Sequence, residues 1–223
     1  MRLLLIDIAS FIYLIPLILG LSKFPFLSIT QKRFFAFIIA SAICSALAYF
    51  TSDIGNNIYV AYLFNSLEVM ILPFFLLDDQ DKKKYKYFWI GGAILGIGLL
   101  LFEAFMREGG ISKYNNLSLT YTAFLLSILS IRHLLKLRFD PAIYDLSKSP
   151  VFWFTLGLGI YYLGNILIFA FTRLFQEQNQ EILLNLAYFR LSLLYISSAM
   201  YIWGFIIIKA KPPTLSSPSA RQK

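Results

Sequence analysis

The sequence is poor in the side chains that metal and redox sites require. It holds one cysteine, Cys44, and one histidine, His133. A single cysteine excludes an intrachain disulfide, and these two residues cannot supply a zinc or iron site of nitrogen and sulfur ligands. The patterns G-x-S-x-G, H-E-x-x-H and Walker A are also missing. These absences predict a protein with no metal and no cofactor, and they favour a function other than catalysis.

Charged residues are scarce as well. They make up 14% of the 223 residues, whereas hydrophobic residues make up 58%. Such a composition is far from that of an ordinary soluble domain and indicates a lipid bilayer as the surroundings of the chain. The net charge of +8 does not predict nucleic-acid binding, because the basic residues lie in short segments between apolar runs.

Seven apolar runs are long enough to cross a bilayer, which takes about 20 residues in a helix. The runs are 3–21, 34–50, 58–77, 88–106, 117–137, 151–171 and 182–208. The first is interpreted as a membrane span and not as a signal peptide, since no small-residue cleavage site follows it. No strand-like alternation and no internal repeat is present. The fold class predicted is all-α, a polytopic membrane protein with one seven-transmembrane-helix domain over residues 1–209.

The distribution of lysine and arginine predicts the orientation of this bundle. The N-terminus and the second, fourth and sixth loops hold only four basic residues, Arg2, Arg107, Lys113 and Arg173. The other loops and the C-terminal segment hold several each, and short basic loops stay in the cytoplasm. The N-terminus is therefore expected outside and the C-terminus in the cytoplasm, with residues 210–223 as a disordered Pro/Ser/Lys tail. A bacterial inner membrane is the expected location.

Local signals add detail to the helices. Pro16 is expected to bend the first helix. Gly92 and Gly96 form a GxxxG pair, which favours close packing inside the bundle over dimerisation. Lys23, Lys32 and Arg33 are assigned to the first loop. The pairs Asp140-Pro141 and Ser149-Pro150 are interpreted as turn or helix-stop signals, and His133 as an interfacial residue.

Four ionisable side chains lie inside the apolar runs, where each costs about 2.5 to 3.5 kcal/mol near the bilayer centre. Counted along the helix rise, Glu68 lies about 15 Å and Arg190 about 12 Å from the outer surface, with Asp7 and Glu103 nearer to it. All four fall in the outer half of the bundle. The same half holds Asn65, Tyr121, Tyr162, Asn165, Asn185 and Tyr188. This distribution predicts a polar pocket that opens to the outside.

Glu68 and Arg190 share a depth and carry opposite charges, so we expect them to pair, either directly or through Asn165. Asn65 lies three residues before Glu68 and therefore close to the same helix face. The last helix is polar on two faces, which predicts a central position in the bundle. The candidate ligand-binding residues are Asn65, Glu68, Tyr162, Asn165, Tyr188 and Arg190. The alternative is that these polar groups only join helices to one another.

Two segments carry a resemblance. The third run contains LFNSLEVMILPFFLL and the sixth contains FWFTLGLGIYYLGNILIF. Both resemble segments of uncharacterised bacterial seven-helix membrane proteins, some of which resemble the membrane sensor modules attached to histidine kinases. The resemblance implies a seven-helix bundle with a sensory role. It departs from those modules after the seventh helix, where no kinase or other output domain is expected.

The function that these observations favour is a receptor-like or sensory membrane module. A small-molecule ligand would enter from outside and change the packing of the third, sixth and seventh helices, with Pro73 as a place for the third helix to bend. A separate cytoplasmic or membrane signalling partner would receive the signal through the basic loops. A small-solute carrier or channel component, and a lipid-directed enzyme with Glu68 or Asp7 as acid/base, are the alternatives.

Overall fold

The structure, a computed structural model, describes residues 11–51, 58–77, 86–106, 116–141, 143–175 and 180–208. Every regular element in these ranges is helical, which confirms the all-α prediction. The long helices are α1 (Leu14–Lys23), α2 (Ile29–Thr51), α3 (Ile58–Leu76), α4 (Lys86–Phe105), α5 (Asn116–Arg138), α6 (Pro150–Phe175) and α7 (Gln180–Ile206). Short 3-10 turns occupy Phe24–Phe26 and Leu146–Lys148. The predicted tail, Asp7 and the lysines of 82–84 lie outside the described residues.

Five of these helices are long and apolar enough to cross a membrane, namely α2, α3, α5, α6 and α7. The described apolar parts of α1 and α4 are shorter, Leu14–Phe26 and Ile90–Phe105. An integral membrane protein is therefore indicated by the length and composition of the helices alone.

The start of α2 differs from the predicted start. The run of apolar residues suggested a helix from Phe34, but the helix begins at Ile29 and includes Lys32 and Arg33. Ser28 and Gln31 form a capping box: the Gln31 amide donates to Ser28 Oγ at 3.3 Å, and the Ser28 amide donates to Gln31 Oε1 at 2.8 Å. This cap satisfies two amides that have no helical acceptor, so the helix extends past the apolar run into its basic flank.

Two prolines act at helix starts. Pro150 is the first residue of α6, and the Phe152 amide donates to Ser149 Oγ at 3.4 Å. Ser149-Pro150, interpreted from the sequence as a turn or helix-stop signal, therefore begins a helix, because proline suits a first-turn position that needs no N–H. Pro16 lies two residues inside α1, and the backbone turns at Ile12 and Tyr13. Pro16 has no N–H to donate to the Ile12 carbonyl, and the expected bend of the first helix stays a prediction.

Successive helices alternate in direction. At one end of the bundle, Lys23 at the end of α1 donates to the Ile208 carbonyl beyond α7 at 3.2 Å. At the same end, Arg33 at the start of α2 donates to the Phe74 carbonyl near the end of α3 at 3.4 Å. We call this the basic end. The opposite end, where α4 ends and α5 begins, is called the distal end.

Aromatic rings fill the bundle towards the basic end. Phe34 is fully buried and stacks on Phe154, with ring centroids 4.3 Å apart. Its ring also lies 5.0 Å from those of Phe75 and Tyr201, and 6.3 Å from that of Phe205. These five residues form the Phe34 cluster, which joins α2, α3, α6 and α7. The half of the bundle at the basic end is therefore filled mostly by aromatic rings, although buried Ser, Thr and His133 side chains lie in it as well.

Glycines allow neighbouring helices to approach closely. A Cβ on Gly96 would lie 3.3 Å from the Tyr121 ring and 3.5 Å from Val69, so the GxxxG face packs on α5 and α3. The prediction of packing inside the bundle is confirmed. On α6, a Cβ on Gly157 would lie 2.6 Å from the Tyr201 ring and 3.1 Å from the Ser197 carbonyl. The α6–α7 contact therefore depends on the missing side chain.

The structure bears on two positional predictions, and the one for α7 is wrong. The helix expected to be central, α7, is the least enclosed: 17% of its apolar stretch is buried, against 39% to 56% in the other four candidate spans. It packs on α6 and α1 with one narrow face that includes Ser197 and Tyr201. Many of its other apolar side chains are exposed on the outside of the bundle. His133 is 7% exposed, and its ring lies 5.8 Å from that of Phe75. It is therefore buried inside the bundle, and its interfacial depth stays a prediction.

Candidate functional site

The centre of the candidate site is a hydrogen bond between α3 and α6. The Tyr162 hydroxyl donates to Glu68 Oε1 at 2.5 Å, a length typical of a hydroxyl bonded to a carboxylate. Glu68 is 3% exposed and Tyr162 is 2% exposed. Because α3 packs mainly on α2, α4 and α5, and α6 mainly on α5 and α7, these two long side chains bridge the space between helices that are not close neighbours.

A second layer of polar side chains lies one turn closer to the distal end. Asn65 precedes Glu68 by three residues on α3, and Asn165 follows Tyr162 by three residues on the oppositely directed α6. Three residues of helix rise correspond to about 4.5 Å, so both amides lie on the distal side of the Glu68–Tyr162 bond. Asn65 is 1% exposed and Asn165 is 0% exposed. The four predicted residues of α3 and α6 are thus brought together.

The two amide groups share an arrangement. Asn65 Nδ2 donates to Ser118 Oγ at 3.2 Å, and Asn165 Nδ2 donates to the Tyr161 carbonyl at 2.6 Å. The Oδ1 atoms of both are buried and accept no hydrogen bond in the described structure. The Thr122 hydroxyl of α5 lies one turn from Ser118 towards the basic end. It is also buried and makes no hydrogen bond in the described structure. Buried polar atoms without partners are rare in native proteins.

Glu103 has a different role from Glu68. At the end of α4, its Oε1 accepts the Leu117 amide at 2.9 Å and its Oε2 accepts the Ser118 amide at 2.8 Å. Both amides belong to the first turn of α5, so the carboxylate caps that helix and meets the positive end of its dipole. Glu103 is 2% exposed. Through Ser118 the cap is connected to Asn65.

Other buried tyrosines interact with the Glu68 carboxylate. Tyr13, directly before α1, and Tyr201 of α7 are 5% and 1% exposed, and both interact electrostatically with Glu68. The rings of Tyr161 and Tyr162 are 5.1 Å apart. Tyr13 and Tyr161 were missed by the sequence analysis. The sequence did offer a signal for Tyr13, namely its depth. Tyr13 lies ten residues after the start of the first apolar run, which in a helix would correspond to about 15 Å, the same depth as Glu68.

The residues predicted on α7 stand apart from the buried set. The Arg190 guanidinium lies over the Phe169 ring, 5.1 Å from its centroid, and it also attracts the Glu68 carboxylate electrostatically. The hydrogen bond that the described structure gives Glu68 comes from Tyr162 and not from Arg190. Tyr188 is half-buried, and Asn185 is exposed. Within the described residues no hydrogen bond joins the Tyr188 hydroxyl to the site.

The geometry defines what the site can bind. Its buried atoms without partners are oxygens, and the amide oxygens can only accept hydrogen bonds or ligate a cation. The described residues hold no cluster of three His, Cys, Asp or Glu side chains that could bind a metal ion. Glu68, Asn65 and Asn165 are each 3% exposed or less, so the site is closed to the surface here, whereas an open pocket was predicted. Access would require the helices to move.

Comparisons of the chain with protein-family models, with curated proteins and with solved structures give no match. Function is therefore inferred from the geometry of the site.

Proposed function

We propose that this protein is a sensory membrane module whose ligand acts at the Glu68–Tyr162 bond between α3 and α6. The observation that carries the proposal is that bond itself: a buried carboxylate held by one tyrosine, 2.5 Å away, across two helices that pack mainly on others. A ligand that binds Glu68 competes with Tyr162 and changes how α3 and α6 are held. A ligand can shift a structure only by such differential contacts.

The proposed topology has seven crossings, with the N-terminus outside and the C-terminus in the cytoplasm. It is supported by the alternation of the helices and by the described basic residues at the basic end, which include Lys23, Arg33, Arg138 and Lys148. The described apolar parts of α1 and α4 are too short to count as spans by themselves. The proposal that these two helices cross the membrane therefore also relies on the apolar sequence next to them. In this orientation the distal end faces outside, and the basic end faces a cytoplasmic signalling partner.

The Phe34 cluster favours a receptor over a carrier. A carrier needs polar groups along the whole path, but the half of the bundle at the basic end is filled by aromatic rings stacked as closely as 4.3 Å. The side chains that join this cluster belong to α2, α3, α6 and α7. A change at Glu68 on α3 or Tyr162 on α6 is therefore transmitted to the basic end through packed rings.

The test uses the purified protein in lipid nanodiscs with a panel of amino acids, amines, organic acids and sugars. For a receptor, one solute class raises the unfolding midpoint of the wild type and of Glu181→Gln, an exposed control, but not that of Glu68→Gln. The same solute is not accumulated by proteoliposomes. Accumulation that requires Glu68 would establish a carrier instead, and lipid turnover lost in Glu68→Gln would establish an enzyme.

A further inference from the structure

The unpartnered oxygens indicate the class of ligand. We propose that a small monovalent cation binds between α3 and α6, held by the Glu68 carboxylate and the Oδ1 atoms of Asn65 and Asn165. This inference rests on the proposed function, because it names the ligand class of the same site. The ion is either a metal ion such as Na⁺ or the ammonium group of a protonated amine, since both are bound by hard oxygen atoms.

The orientation of the amides supports a cation. Asn165 Nδ2 faces the Tyr161 carbonyl at 2.6 Å, and a carbonyl can only accept, so the Oδ1 atom must point the other way. Asn165 is 0% exposed and Asn65 is 1% exposed, and the Oδ1 of each has no partner in the described residues. A buried acceptor without a partner loses its hydrogen bonds to water and gains none in return. Two such acceptors beside one carboxylate are the donor set of a cation site.

The charges indicate a monovalent ion. Of the two carboxylates that are buried in the described structure, Glu68 is available for this role, because Glu103 uses both oxygens on the Leu117 and Ser118 amides. Calcium and magnesium sites are usually built with several charged oxygens. The single charge of that carboxylate matches a monovalent ion, and the charge of Arg190, which also attracts Glu68, disfavours a divalent ion further.

The arrangement of the oxygens fits a compact ligand. Glu68 is hydrogen-bonded to the Tyr162 hydroxyl, and Asn65 and Asn165 each lie three residues of helix rise, about 4.5 Å, towards the distal end. Thr122 adds a hydroxyl that is buried and unpartnered in the described structure. A small ion can contact oxygens from both layers at once, and it would then hold α3 to α6 on the distal side of the Tyr162 bond.

The test is thermal unfolding of the full-length protein in nanodiscs with NaCl or methylammonium chloride. Each salt replaces tetraethylammonium chloride at constant ionic strength, because that cation is large and has no N–H. We expect a saturable rise in the midpoint of the wild type with at least one of the two cations. Glu68→Gln and Asn165→Leu should weaken the apparent affinity at least tenfold, whereas the exposed controls Glu181→Gln and Asn185→Leu should keep it.

Each outcome either supports or contradicts the cation site. A response to Na⁺ alone identifies a metal ion, and a response to methylammonium alone identifies an amine. If Asn165→Leu does not fold, Thr122→Val, which keeps the volume, must show a weaker response. A wild type that responds to neither cation, or equal responses in wild type and Glu68→Gln, would overturn the cation site. If a different solute then acts through Glu68, the cation site is wrong but the proposed sensory function still holds. If the cation binds and its uptake depends on Glu68, the cation site holds but the sensory function is wrong.

Discussion

The Tyr162 hydroxyl and the Glu68 carboxylate, 94 positions apart in sequence, meet at 2.5 Å in the interior of the bundle. The bond joins α3 in the first half of the chain to α6 in the second. Arg190, the residue that charge and depth had suggested as the partner, instead lies over the Phe169 ring at 5.1 Å and acts on Glu68 electrostatically. The closest polar partner of the carboxylate is thus a neutral hydroxyl.

The first prediction concerns this bond. Tyr162→Phe removes the hydroxyl and leaves the buried carboxylate without that donor, so we expect a loss of stability of about 1 to 2 kcal/mol, above the ~0.6 kcal/mol average for hydrogen bonds between membrane helices. In a double-mutant cycle with Glu68→Gln, the coupling should exceed that of the cycle of Glu68→Gln with Arg190→Gln. Reversible unfolding in mixed micelles measures both cycles.

The control for that change is Tyr144→Phe, which removes the same hydroxyl from a fully exposed side chain. It should leave the free energy of unfolding unchanged. Strictly additive effects of Tyr162→Phe and Glu68→Gln would show that the bond does not contribute to stability.

The second prediction concerns the helix cap. Glu103→Gln removes the charge and one of the two acceptors that bind the Leu117 and Ser118 amides, so we expect a loss of about 0.5 to 2 kcal/mol. Hydrogen exchange at these two amides should become faster, while exchange in the middle of α5 changes less. Glu181→Gln, in the exposed first turn of α7, is the matched control, and a loss as large as that of Glu103→Gln would argue against the cap.

The third prediction compares two glycines. Gly157→Ala places a methyl group 2.6 Å from the Tyr201 ring and 3.1 Å from the Ser197 carbonyl, so α6 and α7 must separate, at a cost of about 1 to 3 kcal/mol. A Cβ on Gly98 meets nothing within 4 Å, and Gly98→Ala should stabilise α4 by about 0.5 to 1 kcal/mol. Unfolding midpoints of the two variants test the contrast, and equal midpoints would contradict the close α6–α7 packing.

The fourth prediction concerns topology. In a Cys44→Ala background, single cysteines replace Asp53, Lys83 or Ser216. A membrane-impermeant maleimide added to whole cells should label the cysteine at 53, and those at 83 and 216 should react only after the membrane is opened. The reverse pattern would place the basic end outside, and labelling of 53 and 83 from the same side would mean that α3 does not cross.

The helices could be predicted from the sequence because a run of apolar residues long enough to span a bilayer has few alternatives to a helix. The start of α2 was missed although its signal was present, since Ser28 and Gln31 have capping-box spacing and the charges of Lys32 and Arg33 do not stop a helix. Ser149-Pro150 was likewise a start signal. These errors concern local chemistry that outweighs hydropathy at the ends of helices.

The depth of each polar side chain was determined by the sequence alone, because helix rise converts position into distance. That is why Glu68, Asn65, Tyr162 and Asn165 could be grouped before any coordinates. Which side chain faces which was decided only by the tertiary structure, since rotation about a helix axis depends on how neighbouring surfaces fit. Packing through Gly157 set α7 at the side of α6, which left Tyr188 and Asn185 outside the buried site. The fold also buried Tyr13, a residue with no charge to reveal it.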